Sequence, residues 1–519
     1  MKRRISIVGT IVLLSLLLVS VTYAQYPDPW YTSYQVVNIG DADADVVVDY
    51  YDSDGNVQTA AQRTFTDVAA GGSVLVLQFD ETNLPNGTYS AVISADQPIA
   101  AITNQQLNPA GSTTWQGAPP FSTYSGESKG ATLVTLPAVM YNWYGYYTEI
   151  YIMNVGSDDA TNVDITYIPG EMDVGAGPED TGASGVTDND NSISQYASLY
   201  VSQENLTSLG APSGTFTGRF LGSAVITSDQ PIIAVVNQHN VGDSKLMTYN
   251  GFTGGATEIA APSYMRGYYG YYTTLLIANP DDTATAHVTV TYTPDTSNPV
   301  YNQAAPGSTV GTVTVNHDVA PQTALTRYDG PGATDGQSDL DDHAETGHAF
   351  TRFFGSVSVE SDIDVMVQVN VEAAASGAAQ AGSYNGIPTT SATEDIVAPV
   401  ILADFYGYYT TMIVQNTTDT AGTCDITYTS DGTYSANKNH SETYSHALPA
   451  SGSFTVYEGR AGGQEIGDIN SDDIWAVGSQ RWFIGAAEVS CSVPVVAFVN
   501  EETDQSGTDS MYTMNTFNK

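Results

Sequence analysis

Apolar and polar residues alternate with a period of two in short runs along this chain, and helical spacing is sustained nowhere. One run recurs four times: WYTSYQVVN from Trp30, YYTEIYIMN from Tyr146, YYTTLLIAN from Tyr271 and YYTTMIVQN from Tyr408. Each copy closes on an asparagine, Asn38, Asn154, Asn279 and Asn416, spaced 116, 125 and 137 residues apart. A period that long is a whole domain and not a solenoid unit. In the second copy Tyr146, Thr148, Ile150 and Ile152 share one strand face, and Tyr147, Glu149, Tyr151 and Met153 share the other.

Other segments recur with it. VVVDYY (46–51), NVDITY (162–167), HVTVTY (287–292) and TCDITY (423–428) read as a second strand, closed at Asp54-Gly55 and Asp431-Gly432 by type I′ turn dipeptides. SVLVLQF (73–79), ASLYVSQ (197–203), TALTRY (323–328) and SFTVYE (453–458) read as another. SAVISADQPIAAITNQ (90–105), SAVITSDQPIIAVVNQ (223–238), SVSVESDIDVMVQVN (356–370) and AAEVSCSVPVVAFVN (486–500) read as hairpins around a short polar turn. Six or seven short strands per repeat predict an all-β chain of four tandem immunoglobulin-like β-sandwich domains. Gly, Ser and Thr-rich stretches at 122–132, 248–257 and 383–393 set the boundaries. The expected division is a leader over 1–24, then repeats over 25–128, 129–254, 255–390 and 391–519, the first lacking its first strand. Repeats three and four grow by loops, between Asp329 and Phe350 and between Gly459 and Trp482, where specificity would reside.

The leader reads as an export signal. Lys2, Arg3 and Arg4 start it, Ile5 to Val21 form the apolar run, and Thr22-Tyr23-Ala24 is the cleavage site. The mature chain would begin near Gln25 with no transmembrane segment, and no cysteine follows to carry a lipid. The chain carries 14 Lys plus Arg against 57 Asp plus Glu, a net charge of −43, or −46 once the leader's three cations leave. Such a surface repels nucleic acid and attracts cations. With 41% hydrophobic residues the acidity does not signal disorder. Cys424 and Cys491 form a candidate disulfide in the exported protein, with Cys424 alternatively a small buried hydrophobe.

Strand alternation points Tyr31, Tyr147, Tyr272 and Tyr409 outward, opposite Trp30, Tyr146, Tyr271 and Tyr408, with Tyr144, Tyr269 and Tyr406 just before them. Outward tyrosines serve domain-junction packing or ligand binding, and junction packing is the favoured reading. Arg219, Arg352 and Arg481 occupy one site, in GRFLGS, TRFFGS and QRWFIGA, and an internal ion pair is expected there. Asp41, Asp43, Asp45, Asp188 and Asp190 are weak calcium candidates, as are the runs Asp339 to Asp342 and Asp468 to Asp473, although the EF-hand spacing is absent. The cluster Asp342-His343, Glu345 and His348 lacks a zinc spacing, and no nucleophile elbow or phosphate loop occurs.

Four such repeats behind a leader resemble the secreted tandem immunoglobulin-like proteins of bacterial cell surfaces, of surface-layer or adhesin type. The resemblance covers the mature chain and rests on architecture and composition. It implies an extracellular, non-enzymatic structural or adhesive role, with self-association or binding to a cell-surface polymer. The alternative is a carbohydrate-binding array presenting tyrosines to polysaccharide, and an exported hydrolase comes last. No cofactor is expected other than calcium.

Overall fold

The computed structural model describes residues 14–18, 30–78, 81–107, 120–170, 186–202, 220–240, 242, 244–295, 300–331, 333, 337–341, 347–374, 380–405, 407–431, 434–438, 440–461, 464–465, 467–477, 482–503 and 511–518. Over these it is all-β and antiparallel, with only short helical turns.

The same two four-stranded sheets recur in every repeat. Taking the second repeat, one sheet runs in the order Ala131–Tyr141, the first half of Phe220–Asn240, Ala160–Pro169 and Val186–Ile193. The other runs in the order Lys245–Asn250, the second half of Phe220–Asn240, Tyr147–Asn154 and Ser198–Ser202. A sandwich-like core lies between them, built on Ile150, Ile152, Val163, Ile165, Ala224 and Ile226.

The segment expected to be a hairpin is instead one continuous strand serving both sheets. It spans Phe220–Asn240, Phe350–Ala373 and Phe483–Thr503, and in the first repeat Ser90–Ala95 and Ile99–Leu107. The tightest hairpin turns, types I′ and II′, need residues at positive φ to reverse the chain. None of the residues in TSDQP or ESDID adopts positive φ, so the chain crosses from sheet to sheet without turning back.

The Gly, Ser and Thr-rich stretches expected to be boundaries begin inside strands. Phe121–Ser125, Lys245–Asn250, Ala381–Asn385 and Met511–Asn515 each pair with the long strand. These four axial strands also pack on one another in cyclic order, the fourth returning to the first. The first repeat has a strand in the place expected to be missing. Leu14–Leu18, within the apolar run read as a leader, pairs with Ser90–Ala95 as Ala131–Tyr141 pairs with the long strand of repeat two.

The outward face of each tyrosine strand is buried against the preceding repeat. Tyr151 and Met153 pack with Val92 and Tyr124 of repeat one. Ala278 and Ala324 pack around Phe252 of repeat two, and Ile413 joins the core of repeat three. Val37 packs with Val397 and Ala486 of repeat four. The four repeats therefore close into a ring.

The recurrent asparagines do the same work four times. Asn154 is fully buried; its Nδ2 donates to the carbonyls of Asp158 and Ile193 at 2.9 and 3.0 Å, and its Oδ1 accepts from Gly156 N at 2.9 Å. Asn38, Asn279 and Asn416 make the equivalent three bonds. Each amide ties the end of its strand to two loops. Asn154→Asp keeps the shape but turns a donor into an anion facing two carbonyls. A buried unpaired group costs about 1–3 kcal/mol and a charged one more. We expect this variant to lower the urea midpoint clearly at pH 7 and less at pH 4, where the acid regains a proton; equal midpoints for variant and parent would refute the clamp.

Candidate functional site

The tyrosine phrase begins in a tight hairpin. Trp143 N donates to the Tyr146 carbonyl at 3.1 Å, and Tyr146 N donates back at 2.8 Å. Between them Tyr144 and Gly145 have φ of 48° and 87°, and Tyr269 and Gly270 have 49° and 86°. Positive φ at both central residues is the type I′ turn. At Asp54-Gly55 only Gly55 has positive φ, so that loop is not the type I′ turn expected there. Gly407 has φ of 80°, while Tyr406 lies outside the described residues.

The turn throws Tyr144 and Tyr269 to the surface, 60% and 81% exposed. Tyr31 is 38% exposed, Tyr147 and Tyr272 are half-buried, and Tyr409 is only 2% exposed. Tyr409 thus departs from the expectation that all four point outward. Tyr147 OH donates to Asn142 Oδ1 at 3.4 Å, and Tyr409 OH to Asp404 Oδ1 at 3.1 Å, a residue five positions back in each case. These rings lie along their own hairpin.

Tyr144 and Tyr146 instead line a cavity of about 430 Å³ between repeats two and three. Its floor is apolar, with Met140, Leu221, Met247 and Leu276. Across the seam, Glu372 Oε2 accepts from Tyr146 OH and from Lys245 Nζ, both at 2.8 Å. Lys245 also donates to the Ala373 carbonyl at 2.9 Å. Arg327 lines the far wall and is held by Asp339, with Nε donating to Oδ1 at 2.8 Å. Burial, then the Glu372 carboxylate, pushes the Tyr328 phenol pKa upward, so it stays a neutral donor. Among the described lining residues there is no histidine, cysteine or serine. Sequence reading missed this site because Lys245 and Glu372 are 127 residues apart and meet only through the ring.

The remaining candidates sit elsewhere. Arg352 is exposed and donates to the Val300 carbonyl at 3.3 Å, with no carboxylate partner among the described residues, so the expected ion pair is not made there. Arg219 and Arg481 lie outside the described residues. Ion pairs to buried carboxylates join Arg63 to Glu81 in repeat one, and Arg266 to Asp329 and Arg327 to Asp339 at the expanded loop of repeat three. Asp339 also accepts from Tyr292 OH at 2.7 Å and meets His317 at 3.1 Å; Asp468 meets Tyr428 and His446 in the same way in repeat four. These loop acids fold inward to anchor their own repeat. Cys424 and Cys491 face each other across neighbouring strands and are disulfide-bonded.

Asp41, Asp43 and Asp45 are exposed, and Asp45 Oδ1 accepts from Asp67 N at 3.2 Å. Asp188 is half-buried with its pKa raised by burial, and the Asp190 side chain lies outside the described residues. Among the described residues no three acidic, histidine or cysteine groups converge as metal ligands. Asp342, His343 and Glu345 lie outside them, and His348 contacts Thr309.

No protein-family model matches this chain, and no curated protein is similar to it. Among solved structures it is similar to the crystal structure of Thermotoga maritima 1070, at 19% identity over 26% of this chain and 95% of that one, with a TM-score of 0.17. It is also similar to a glycoside hydrolase family 32 structure from Bifidobacterium adolescentis, at 9% identity over 97% and 95% of the two chains, with a TM-score of 0.13. Likenesses this distant say nothing of what the chain binds.

Near the ring axis, polar side chains bridge neighbouring repeats. Gln105 Nε2 donates to Asn237 Oδ1 at 2.8 Å, and Asn370 Nδ2 donates to Gln238 Oε1 at 2.8 Å. Repeat four places Glu501 at the equivalent position, where burial raises its pKa to about 8. In the unfolded chain a glutamate titrates near ~4.3. Below that value both states are protonated and the full stability is present. As pH rises toward 8 the unfolded chain releases a proton that the fold retains, so stability falls by up to ~1.4 kcal/mol per pH unit. Denaturant titrations from pH 4 to 9 should show Glu501→Gln removing this contribution, so that the variant's slope is shallower than the parent's and it gains stability over the parent as pH rises toward 8. An unchanged slope in that variant would mean that Glu501 is ionised in the fold.

Proposed function

We propose that this protein is an exported, non-enzymatic structural or adhesive component of a bacterial cell surface. The observation that carries this reading is the closure of four sandwich-like repeats of one chain into a ring. Ring closure spends the inner sheet faces on packing and leaves acidic residues such as Asp41, Asp43 and Asp45 exposed. Each repeat is taken as one immunoglobulin-like domain, and residues 1–24 as a removable leader. Removing the leader would take Leu14–Leu18 with it and bare the edge of Ser90–Ala95. An unpaired edge is a template for another strand, which supports self-association between copies. The net charge of −43 favours assembly through divalent cations, which screen or bridge carboxylates.

A second reading, binding of a surface glycan, is favoured by the aromatic cavity between repeats two and three. Mass spectrometry of protein from the native envelope should find a chain starting at Gln25. Electron microscopy of that material with millimolar calcium should show ordered arrays that disperse in chelator. Monodisperse rings under both conditions, with retention on insoluble polysaccharide, would overturn the structural reading in favour of the second.

A further inference from the structure

We propose that the cavity at the seam of repeats two and three is a binding site for one neutral sugar ring. This inference deepens the glycan reading and rests on it for the source of the ligand. At about 430 Å³ the space is far larger than the water-sized voids that packing leaves, and it lies within the ~300–1,000 Å³ range of small-molecule sites.

The walls specify the ligand's chemistry. Trp143, Tyr144, Tyr146 and Tyr328 bring aromatic surface, and Trp143 and Tyr144 stand edge to face with ring centroids 5.3 Å apart. Aromatic rings offer flat, rigid apolar area to the C–H face of a pyranose, with hydroxyl or N–H groups at their edges. Thr274, Thr326 and Gln337 add hydroxyl and amide groups, which donate and accept as sugar hydroxyls do. A purely apolar ligand would desolvate those groups without replacing their hydrogen bonds.

Charge selects against ionic ligands. Lys245 is only 6% exposed and is matched by Glu372, while Arg327 is matched by Asp339. An anion or a cation entering the cavity would find these charges already matched and would itself lack a counter-charge there. The surrounding chain, at −43, also repels anions at long range. Neutral, polyhydroxylated and apolar on one face is the class that remains.

The hairpin turn supplies an internal control. Tyr144 and Tyr269 hold the same turn position in repeats two and three with nearly the same φ, yet only Tyr144 lines the cavity. The experiment is calorimetric titration of the whole exported chain with glucose, galactose, mannose and their oligosaccharides, alongside glucuronic acid and glucosamine. We expect at least one neutral sugar to bind, with the charged sugars at least tenfold weaker. Tyr144→Ala should weaken binding at least tenfold, and Tyr269→Ala should leave it unchanged, with both variants melting like the parent.

Equal losses in the two variants, preferred binding of a charged sugar, or no binding at 10 mM of any sugar would overturn the proposal. Retention on insoluble polysaccharide separates this outcome from failure of the glycan reading. A parent chain that is retained, with retention undiminished by Tyr144→Ala, keeps the glycan reading and removes this cavity as its site. A parent that is not retained, yet binds free sugar through Tyr144, keeps the cavity and moves the ligand to a soluble source.

Discussion

Burial of the second face of each inner sheet is the constraint from which the architecture follows. A sandwich normally gives each sheet one apolar and one wet face. Here the inner sheet has no wet face: Ile150 and Ile152 look into their own core, while Tyr151 and Met153 look into repeat one. The long strand at its centre is therefore apolar on both sides through Ile232, Ile233, Ala234, Val235 and Val236, all nearly inaccessible. One sheet can have its outer face covered only if another repeat is adjacent, and the requirement passes on until repeat four meets repeat one. An isolated repeat would expose that face, a patch of the kind that drives association.

Much of the strand order was legible because strand alternation and fourfold recurrence reinforce each other. Ring closure was not. Tyr147, Glu149 and Tyr151 look like a half-polar, solvent-facing set, and alternation separates two faces without saying what covers each. Glu149 is in fact buried and accepts from the Tyr200 hydroxyl at 2.9 Å. The long strand was misread for a related reason. A polar interruption such as TSDQP looks like a turn, whereas it marks the solvent-exposed crossing between sheets. The candidate cavity had no sequence signature, since a seam between distant segments creates it. The Tyr-Gly dipeptide did carry a signal, because glycine before a strand suits positive φ, but tyrosine at the preceding position masks it.

Charge divides by depth. The acidic excess lies mainly on loops and outer strands, whereas several of the few cations are committed inside, at Arg266, Arg327 and Lys245. Arg327 and Lys245 both line the same cavity, each already neutralised. In a chain this acidic, an unmatched interior carboxylate would add to a repulsion that exposed cations are too few to offset. The loop acids Asp339 and Asp468 avoid this by taking tyrosine hydroxyls and histidines as partners. Loop growth in repeats three and four thus adds anchoring before it adds any outward surface.

The four seams are not equal in the polar bridges they make near the axis. The glutamine-to-asparagine bridge is complete from repeat one to two and from two to three. From three to four the glutamine is replaced by Val371, and the buried Asn500 amide has no hydrogen-bond partner among the described residues. From four to one the position is Glu501, whose Oε1 is buried and has no partner among the described residues, as is true of Asn104 Oδ1. Both incomplete seams flank repeat four. That repeat also contains the disulfide, but Cys424 and Cys491 join two strands of one sheet within it. A crosslink inside a repeat restrains its unfolded state and leaves its seams as they are. Repeat four is therefore joined to its neighbours by apolar packing and by amide-to-carbonyl bonds, Gln35 Nε2 to Pro399 at 2.9 Å and Gln415 Nε2 to Val357 at 3.4 Å, in place of the axial glutamine-to-asparagine bridge.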